Sequence, residues 1–306
     1  MRNRLCLFSC AVLLIALLAA AVVPAAGEGA ADGLPLAGRG SYEVGVQTLY
    51  FTDARRDDRS LGVELWYPAE LAAGASAWLP VRDAPPQTGD APYPLLLFSH
   101  GGWGGRQQAA FMAVNLASHG FVAVGIDHPA GRFDLIDRPL DMLFVLDQLA
   151  ALDEGDLVGV FDADNVGVWG ISYGGYVAVA MTGARLDPAF YQGTCSSFAR
   201  PLSDWESHTC EEAREWRAVL DYAAQFIDLP ESGLWPAFSD PRIQAVMPLT
   251  PVGGWYFGPD GLGAATLPTL LVAGTADTNA DYTLEAAYLY DYLGPDDLAL
   301  LSFIDR

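Results

Sequence analysis

The sequence predicts an α/β fold, a mostly parallel sheet with helices on both faces. Two features of the chain lead there. Strand-like runs at residues 93–100, 121–126, 165–170, 243–249 and 269–277 are nearly continuous in apolar residues, as strands buried on both faces are. Helical spacing fills several of the segments between them, which is the alternation of parallel crossover units. Ligands in such sheets sit at the carboxyl ends of the strands.

Taken in order, residues 41–51 and 61–67 alternate around a charged turn at 53–60, so they read as an antiparallel hairpin at a sheet edge. Residues 69–92, rich in Ala, Pro and Gly, read as surface loop. Strand 93–100 ends in the Gly-rich stretch Gly101-Gly-Trp-Gly-Gly105. A helix is expected over 107–119, with Phe111, Met112, Val114 and Leu116 apolar and Gly120 as its stop. Strand 121–126 delivers Asp127-His-Pro129, an amphipathic helix is expected over 141–152, and strand 165–170 leads into Gly170-Ile-Ser-Tyr-Gly174. Tyr176 to Met181 is small and apolar, as a helix packed on a sheet would be. Over 184–241 the pattern dissolves; with one helix expected over 211–226, this stretch reads as a lid-like insertion. The sheet resumes at 243–249 and 269–277, a helix is expected over 282–293, and 298–303 reads as the last strand. One α/β domain over 41–306 is the expected organisation.

Of the 306 residues 52% are hydrophobic, enough for one large core. The net charge is −22, from 38 acidic residues against 16 basic ones, all of them Arg. That surface repels nucleic acid and anionic lipid, so neither is an expected partner. Arg2 and Arg4 ahead of the apolar stretch 5–23 read as a signal peptide over 1–25, with a flexible linker over 26–40. The expected location is secreted, periplasmic or extracellular, with no stable membrane span once the leader is cut. An uncleaved leader would be an N-terminal anchor instead. Cys6 and Cys10 fall in the leader. Cys195 and Cys210 are left in the mature part, where the pair reads as a disulfide; the alternative is two buried thiols. No metal-ligand spacing is present, and no cofactor is expected.

The chemistry centres on Ser172. A strand, a G-x-S-x-G turn and a helix are the setting of a nucleophile elbow. The turn strains Ser172 and lifts its hydroxyl off the sheet, while Gly170 and Gly174 have no Cβ to clash. The N-terminus of the next helix adds N–H groups and a dipole suited to a developing oxyanion. The plainer reading is an ordinary strand-to-helix turn.

Several segments together resemble the α/β-hydrolase superfamily. They are Tyr93-Pro-Leu-Leu-Leu-Phe-Ser-His-Gly101, Leu116-Ala-Ser-His-Gly-Phe121, Asp127-His-Pro129, Gly170-Ile-Ser-Tyr-Gly-Gly175 and Pro268-Thr-Leu-Leu-Val-Ala-Gly-Thr-Ala-Asp277. Within that superfamily they are similar to exported bacterial esterases akin to dienelactone hydrolase and platelet-activating-factor acetylhydrolase. The resemblance implies an α/β-hydrolase fold over 41–306 with Ser172 as nucleophile. It also implies an oxyanion hole made by the backbone N–H groups of Gly102 and Tyr173, and Asp277 as the acid that orients a triad histidine. Asp277 otherwise reads as a cap of the next helix. His100, Trp103 and His128 are candidate pocket residues, with a structural role equally open for both histidines.

The sequence departs from that pattern at the base. Triad order in this fold is Ser, Asp, His, yet His100, His119, His128 and His208, the chain's 4 histidines, all precede Asp277. In such relatives the histidine follows the last strand, and the chain stops just after 298–303, so it reads either as truncated there or as lacking its base. Two classes of function follow. One is a secreted serine hydrolase that cleaves small-molecule or lipid-like carboxylic esters through an acyl-enzyme on Ser172. The other is a catalytically silent member of the fold that binds a ligand or partner; a peptidase or amidase lies between them. An intact elbow beside a His-Gly loop favours the esterase.

Overall fold

The hairpin expected at the sheet edge is β1 (Glu43–Asp53) and β2 (Arg59–Ala69), paired antiparallel with Glu43 opposite Ala69 and Asp53 opposite Arg59. The computed structural model describes residue 36 and residues 38–72, 79–198 and 204–305; the expected leader over 1–25 lies outside them. Within the expected loop 69–92 a short β3 (Val81–Arg82) runs parallel to β1. Then come β4 (Tyr93–Ser99), β5 (Val122–Ile126), β6 (Phe161–Ile171), β7 (Ile243–Leu249), β8 (Thr269–Gly274) and β9 (Leu298–Phe303). These six pair in parallel, β2 joins β5 antiparallel, and the described strands form one 9-stranded sheet in the order β3-β1-β2-β5-β4-β6-β7-β8-β9.

Chain order reverses at β4, which pairs with β5 on one side and β6 on the other. Such a switch point opens a crevice at the carboxyl ends of the strands. Ser99 is opposite Gly170, so the loop after β4 and the turn after β6 emerge side by side.

One face of the sheet carries Leu95, Leu97, Val166 and Val168, buried beneath α2 (Asp134–Ala150) and α3 (Tyr173–Met181). Each such side chain contributes about 1.5–3 kcal/mol on leaving water. On the other face α1 (Ala110–Ser118) sets Ala113 and Ala117 against Trp66 and Ala123, and Met112 and Leu116 against Phe98 and Trp169. Further along that face Met247 and Leu249 are half-buried, and Leu301 and Phe303 are exposed.

Helix α2 begins at Asp134, not at residue 141, and holds Pro139 in its interior. A proline there lacks the N–H that would bond the carbonyl four residues back. That carbonyl, of Leu135, instead accepts the Tyr176 hydroxyl at 2.6 Å. Asp134 and Asp137 in the first turn favour the helix through its dipole.

Among its described residues the insertion holds three helices, where one was expected: α4 (Pro188–Ser197), α5 (Asp204–Arg214) and α6 (Trp216–Ala223). Asp187 caps α4 by accepting the Phe190 N–H at 3.0 Å, with Pro188 in the first turn. The expected helix over 211–226 is split at Glu215. Beneath these helices lies an aromatic layer, with ring centroids 5.6 Å apart for Tyr191 and Trp216, 5.5 Å for Trp216 and Trp235, and 5.0 Å for Tyr191 and Tyr256. A disulfide between Cys195 and Cys210, with Cα atoms 5.5 Å apart, joins α4 to α5. The remaining α-helices among the described residues are α7 (Gly258–Gly263) and α8 (Ala286–Tyr292). No helix among the described residues is long and apolar enough to cross a membrane.

Candidate active site

Ser172 stands between β6 and α3 with φ 56° and ψ −115°, a conformation that a non-glycine residue adopts only when its surroundings impose it. Those surroundings are explicit. A Cβ on Gly170 would lie 2.1 Å from the Gly174 carbonyl oxygen, and one on Gly174 would lie 1.9 Å from that of Ser99. The turn thus closes only with glycine at both positions, and β4 presses directly against it. The Ser172 N–H donates to Leu249 at 2.9 Å, and its carbonyl accepts from Gly175 and Tyr176 at 2.8 and 3.2 Å. Tyr173 opens α3, where helix geometry supplies no intrahelical acceptor for its N–H.

The loop after β4 packs against this turn, since a Cβ on Gly101 would sit 3.4 Å from the Ser172 Cβ. Gln108 holds the Gly101 N–H at 2.8 Å, and Asp127 takes both the N–H and the guanidinium of Arg106. Among the described residues no hydrogen bond engages the N–H of Gly102, and Gly102 as a residue is exposed. Trp103, next in the loop, is fully exposed. The two expected oxyanion donors, Gly102 and Tyr173, therefore flank Ser172 on adjoining segments.

His100 and His128 lie behind this loop and are both buried. The His128 N–H donates to His100 Nε2 at 3.2 Å, which puts the His100 proton on Nδ1, 2.6 Å from the Gly101 oxygen. Burial, with Arg138 nearby, holds the His100 imidazole below its ordinary pKa. His128 bridges Ser99 Oγ at 2.9 Å and Asp141 Oδ2 at 3.0 Å. Burial pushes its pKa down to about 4 despite the Asp141 carboxylate, so it is neutral at pH 7. Burial alone would raise Asp141, but hydrogen bonds from His128 and Arg59 hold it below the usual carboxylate range. Arg56 adds a contact at 2.7 Å. Neither histidine faces Ser172, because the ring nitrogens of both are engaged elsewhere. His119 turns away as well, with Nε2 on the Gly38 oxygen at 2.9 Å. The side chain of His208 lies outside the described residues.

Asp277 sits just beyond β8, its Oδ1 accepting the N–H groups of Asn279 and Ala280, each at 2.9 Å. In this structure it caps the following turn. An apolar cavity of about 150 Å³ lies away from the elbow, on the α1 side of the sheet, against Leu96, Trp169, Met247 and Leu270. None of the candidate site residues lines it.

Four charged residues behind the loop escaped the sequence reading: Arg56, Arg59, Arg138 and Asp141. The first two read as a charged turn, and the last two as positions near or within an amphipathic helix. The available signal was charge density on α2, where Asp137, Arg138 and Asp141 all fall on the buried side. Half-buried Glu212 of α5 was also missed; its carboxylate accepts the Leu135 N–H at the start of α2, and burial beside Asp134 raises its pKa to about 8.

Comparison with known proteins agrees with this arrangement. The model of the prolyl oligopeptidase family matches residues 136–297, more than half of the chain. That of platelet-activating factor acetylhydrolase, isoform II, matches residues 76–131. A probable dipeptidyl peptidase 4 of Aspergillus flavus is 25% identical over 195 residues, covering 54% of this chain and 25% of the relative. The prolyl endopeptidase FAP of Mus musculus is 30% identical over 153 residues, covering 45% of this chain and 18% of the relative. The chain thus spans a quarter or less of the length of these curated relatives. A ferulic acid esterase from Streptomyces cinnamoneus shares the fold at a TM-score of 0.52 and 20% identity, covering 88% of this chain and 75% of the other. With the elbow, the parallel sheet and a family match across both in place, the chain belongs to the prolyl oligopeptidase family of the α/β-hydrolase superfamily.

Proposed function

We propose that the protein is an exported serine hydrolase that cleaves carboxylic esters through an acyl-enzyme on Ser172. The observation that carries this reading is the strained Ser172 held against the Gly101–Gly102 loop. Ser172 Oγ attacks the ester carbonyl carbon, and the carbonyl oxygen takes on negative charge. The N–H groups of Tyr173 and Gly102 are the donors for that charge. The C–O bond then breaks, the alcohol leaves with a proton, and water attacks the acyl-serine to release the acid and restore Ser172. Asp277 is the acid of this scheme, its role being to orient an imidazole that takes the Ser172 proton. Among the described residues no imidazole does so. Exposed Trp103 offers an apolar wall for the acyl or alcohol group of a small or lipid-like ester.

A peptidase reading is favoured by one finding, the prolyl oligopeptidase match across the elbow. One assay separates the two. p-Nitrophenyl acetate and butyrate, and glycyl-proline p-nitroanilide, are offered to the wild type and to Ser172→Ala. Ester hydrolysis that disappears in Ser172→Ala, with the anilide uncut, is the expected result. Faster cleavage of the anilide would replace ester by peptide, and equal rates in Ser172→Ala would remove Ser172 from the mechanism. Export rests on the basic and apolar leader; mass spectrometry of the protein from its own cells should find an N-terminus near Ala26, and an intact Met1 would refute cleavage.

A further inference from the structure

Arg138 is the only described cation that touches both segments flanking Ser172, and it does so from inside the protein. It is 4% exposed, one turn into α2. Its Nη1 donates to the His100 carbonyl at 2.9 Å and reaches the Gly101 carbonyl at 3.5 Å. Its guanidinium carbon stands 4.8 Å from the centre of the Tyr173 ring, within range of a cation–π contact. Nε lies 3.3 Å from Asp134 Oδ2, which balances the charge.

We infer that Arg138 is a positioning residue that presets the oxyanion hole; the inference rests on the serine-hydrolase reading. The reason lies in one peptide unit. The Gly101 carbonyl and the Gly102 N–H belong to the same planar group, and in a trans unit they point in opposite directions. The cis bond recorded among the described residues is Ala91–Pro92, so the 101–102 unit is trans. His100 Nδ1–H and Arg138 Nη1 both draw the Gly101 oxygen inward. The Gly102 N–H is thereby turned the opposite way, out of the interior, on the loop whose Gly101 packs against Ser172. The Gly104 N–H also reaches the Gly101 oxygen, at 3.2 Å, so without the two buried donors a single turn bond is left to hold a glycine pair that has no side chains, and the unit flips more readily. The same guanidinium packs on the ring of Tyr173, whose N–H is the second donor. Arg138 thus fixes one donor through its peptide plane and the other through its side chain.

The role predicts a loss confined to the transition state, since a flipped Gly102 does not alter ground-state binding. The wild type, Arg138→Met and Arg138→Lys are compared on p-nitrophenyl acetate, whose leaving group departs without protonation. Arg138→Met should lower kcat about 100-fold with KM changed less than about threefold, the scale for losing one oxyanion donor. Arg138→Lys, which keeps the charge but not the reach to both carbonyls, should fall about 10-fold, in between. Affinity for a trifluoromethyl ketone, a tetrahedral analogue, should drop in proportion to kcat/KM, which a merely structural role would not produce. A folded Arg138→Met with wild-type kcat, or analogue affinity that stays constant while kcat falls, would overturn the inference. If the Met variant does not fold, the Lys variant decides, and an unchanged kcat there overturns it equally. Failure of the underlying reading shows separately, as a wild type that neither turns over the ester nor labels at Ser172.

Discussion

Ser99 Oγ and His128 Nε2 are 2.9 Å apart, in a serine–histidine contact sealed from solvent. With Asp141 on Nδ1 the three side chains repeat the connectivity of a catalytic triad. They lie at the ends of β4 and β5 and on α2, so the contact ties the strand that carries the oxyanion loop to its neighbour and to the helix above. Ser99 is fully buried and has no approach for a substrate.

A fluorophosphonate should therefore label Ser172 and leave Ser99 untouched. Ser99→Ala should retain ester hydrolysis within a fewfold and lose about 1 kcal/mol of stability, the worth of one buried hydrogen bond. Tandem mass spectrometry of the labelled peptide decides, and phosphonate on Ser99 would reverse the assignment of the two serines.

His128 makes stability fall in acid. Its pKa is about 4 in the folded protein and near 6.5 in the unfolded chain. Only the unfolded chain takes up a proton between those values. The contribution is complete above pH 6.5 and is lost as the pH falls toward 4, by an amount on the order of 3 kcal/mol. Urea unfolding at pH 7, 5.5 and 4.5 should show this slope in the wild type and a flatter one in His128→Gln. Parallel slopes would exclude His128 as the source.

Glu285 acts in the opposite direction. Its carboxyl is buried against the 254–256 turn, accepting the Gly254 N–H at 2.8 Å and the Trp255 indole N–H at 3.2 Å. Burial raises its pKa from 4.5 to about 8, so the folded protein keeps the proton that the unfolded chain has released. Stability from this group is complete below pH 4.5 and lost as the pH rises toward 8. Glu285→Gln should be more stable than the wild type at pH 8.5 and no more stable at pH 4.5. A thermal unfolding series that shows no such crossover would disprove the assignment.

That no imidazole among the described residues faces Ser172 gives a kinetic expectation. Serine is a weak nucleophile at neutral pH without a base. Added imidazole should therefore speed fluorophosphonate labelling of Ser172 in the 306-residue chain by at least about 10-fold, the low end for general-base catalysis being roughly 100-fold when the base is positioned. Fast labelling with no response to imidazole, lost in His208→Ala, would place the base on the insertion.

The sheet and the elbow were legible because both are local signals: apolar runs for strands buried on two faces, and a glycine–serine spacing that only a tight turn needs. Residues 165–170 and Ser172 fall where the period and the motif put them. The reading failed where one residue's meaning depends on a distant one. The helix expected from residue 141 begins at Asp134 instead and passes through Pro139, whose lost bond is replaced by one from Tyr176 on another helix. The insertion failed for a related reason, since Tyr191 of α4 packs on Trp216, Trp255 and Tyr256, the last two far along the chain. Arg138 and Asp141 were not singled out because nothing local says that each has a buried partner.

The hydroxyl of Tyr176 serves a carbonyl that Pro139 leaves open, and that exchange binds two positions into one mutational unit. Losing the hydroxyl while the proline remains strands a buried acceptor, whereas losing the proline first adds an amide that can share the same oxygen. Neighbouring sequences in a lineage therefore cross from one solution to the other at lower cost by replacing the proline first, since a carbonyl oxygen can accept two hydrogen bonds. Since Tyr176 lies four residues past Ser172 on the helix that carries the elbow, drift at the entrance of α2 is filtered by the geometry of the nucleophile.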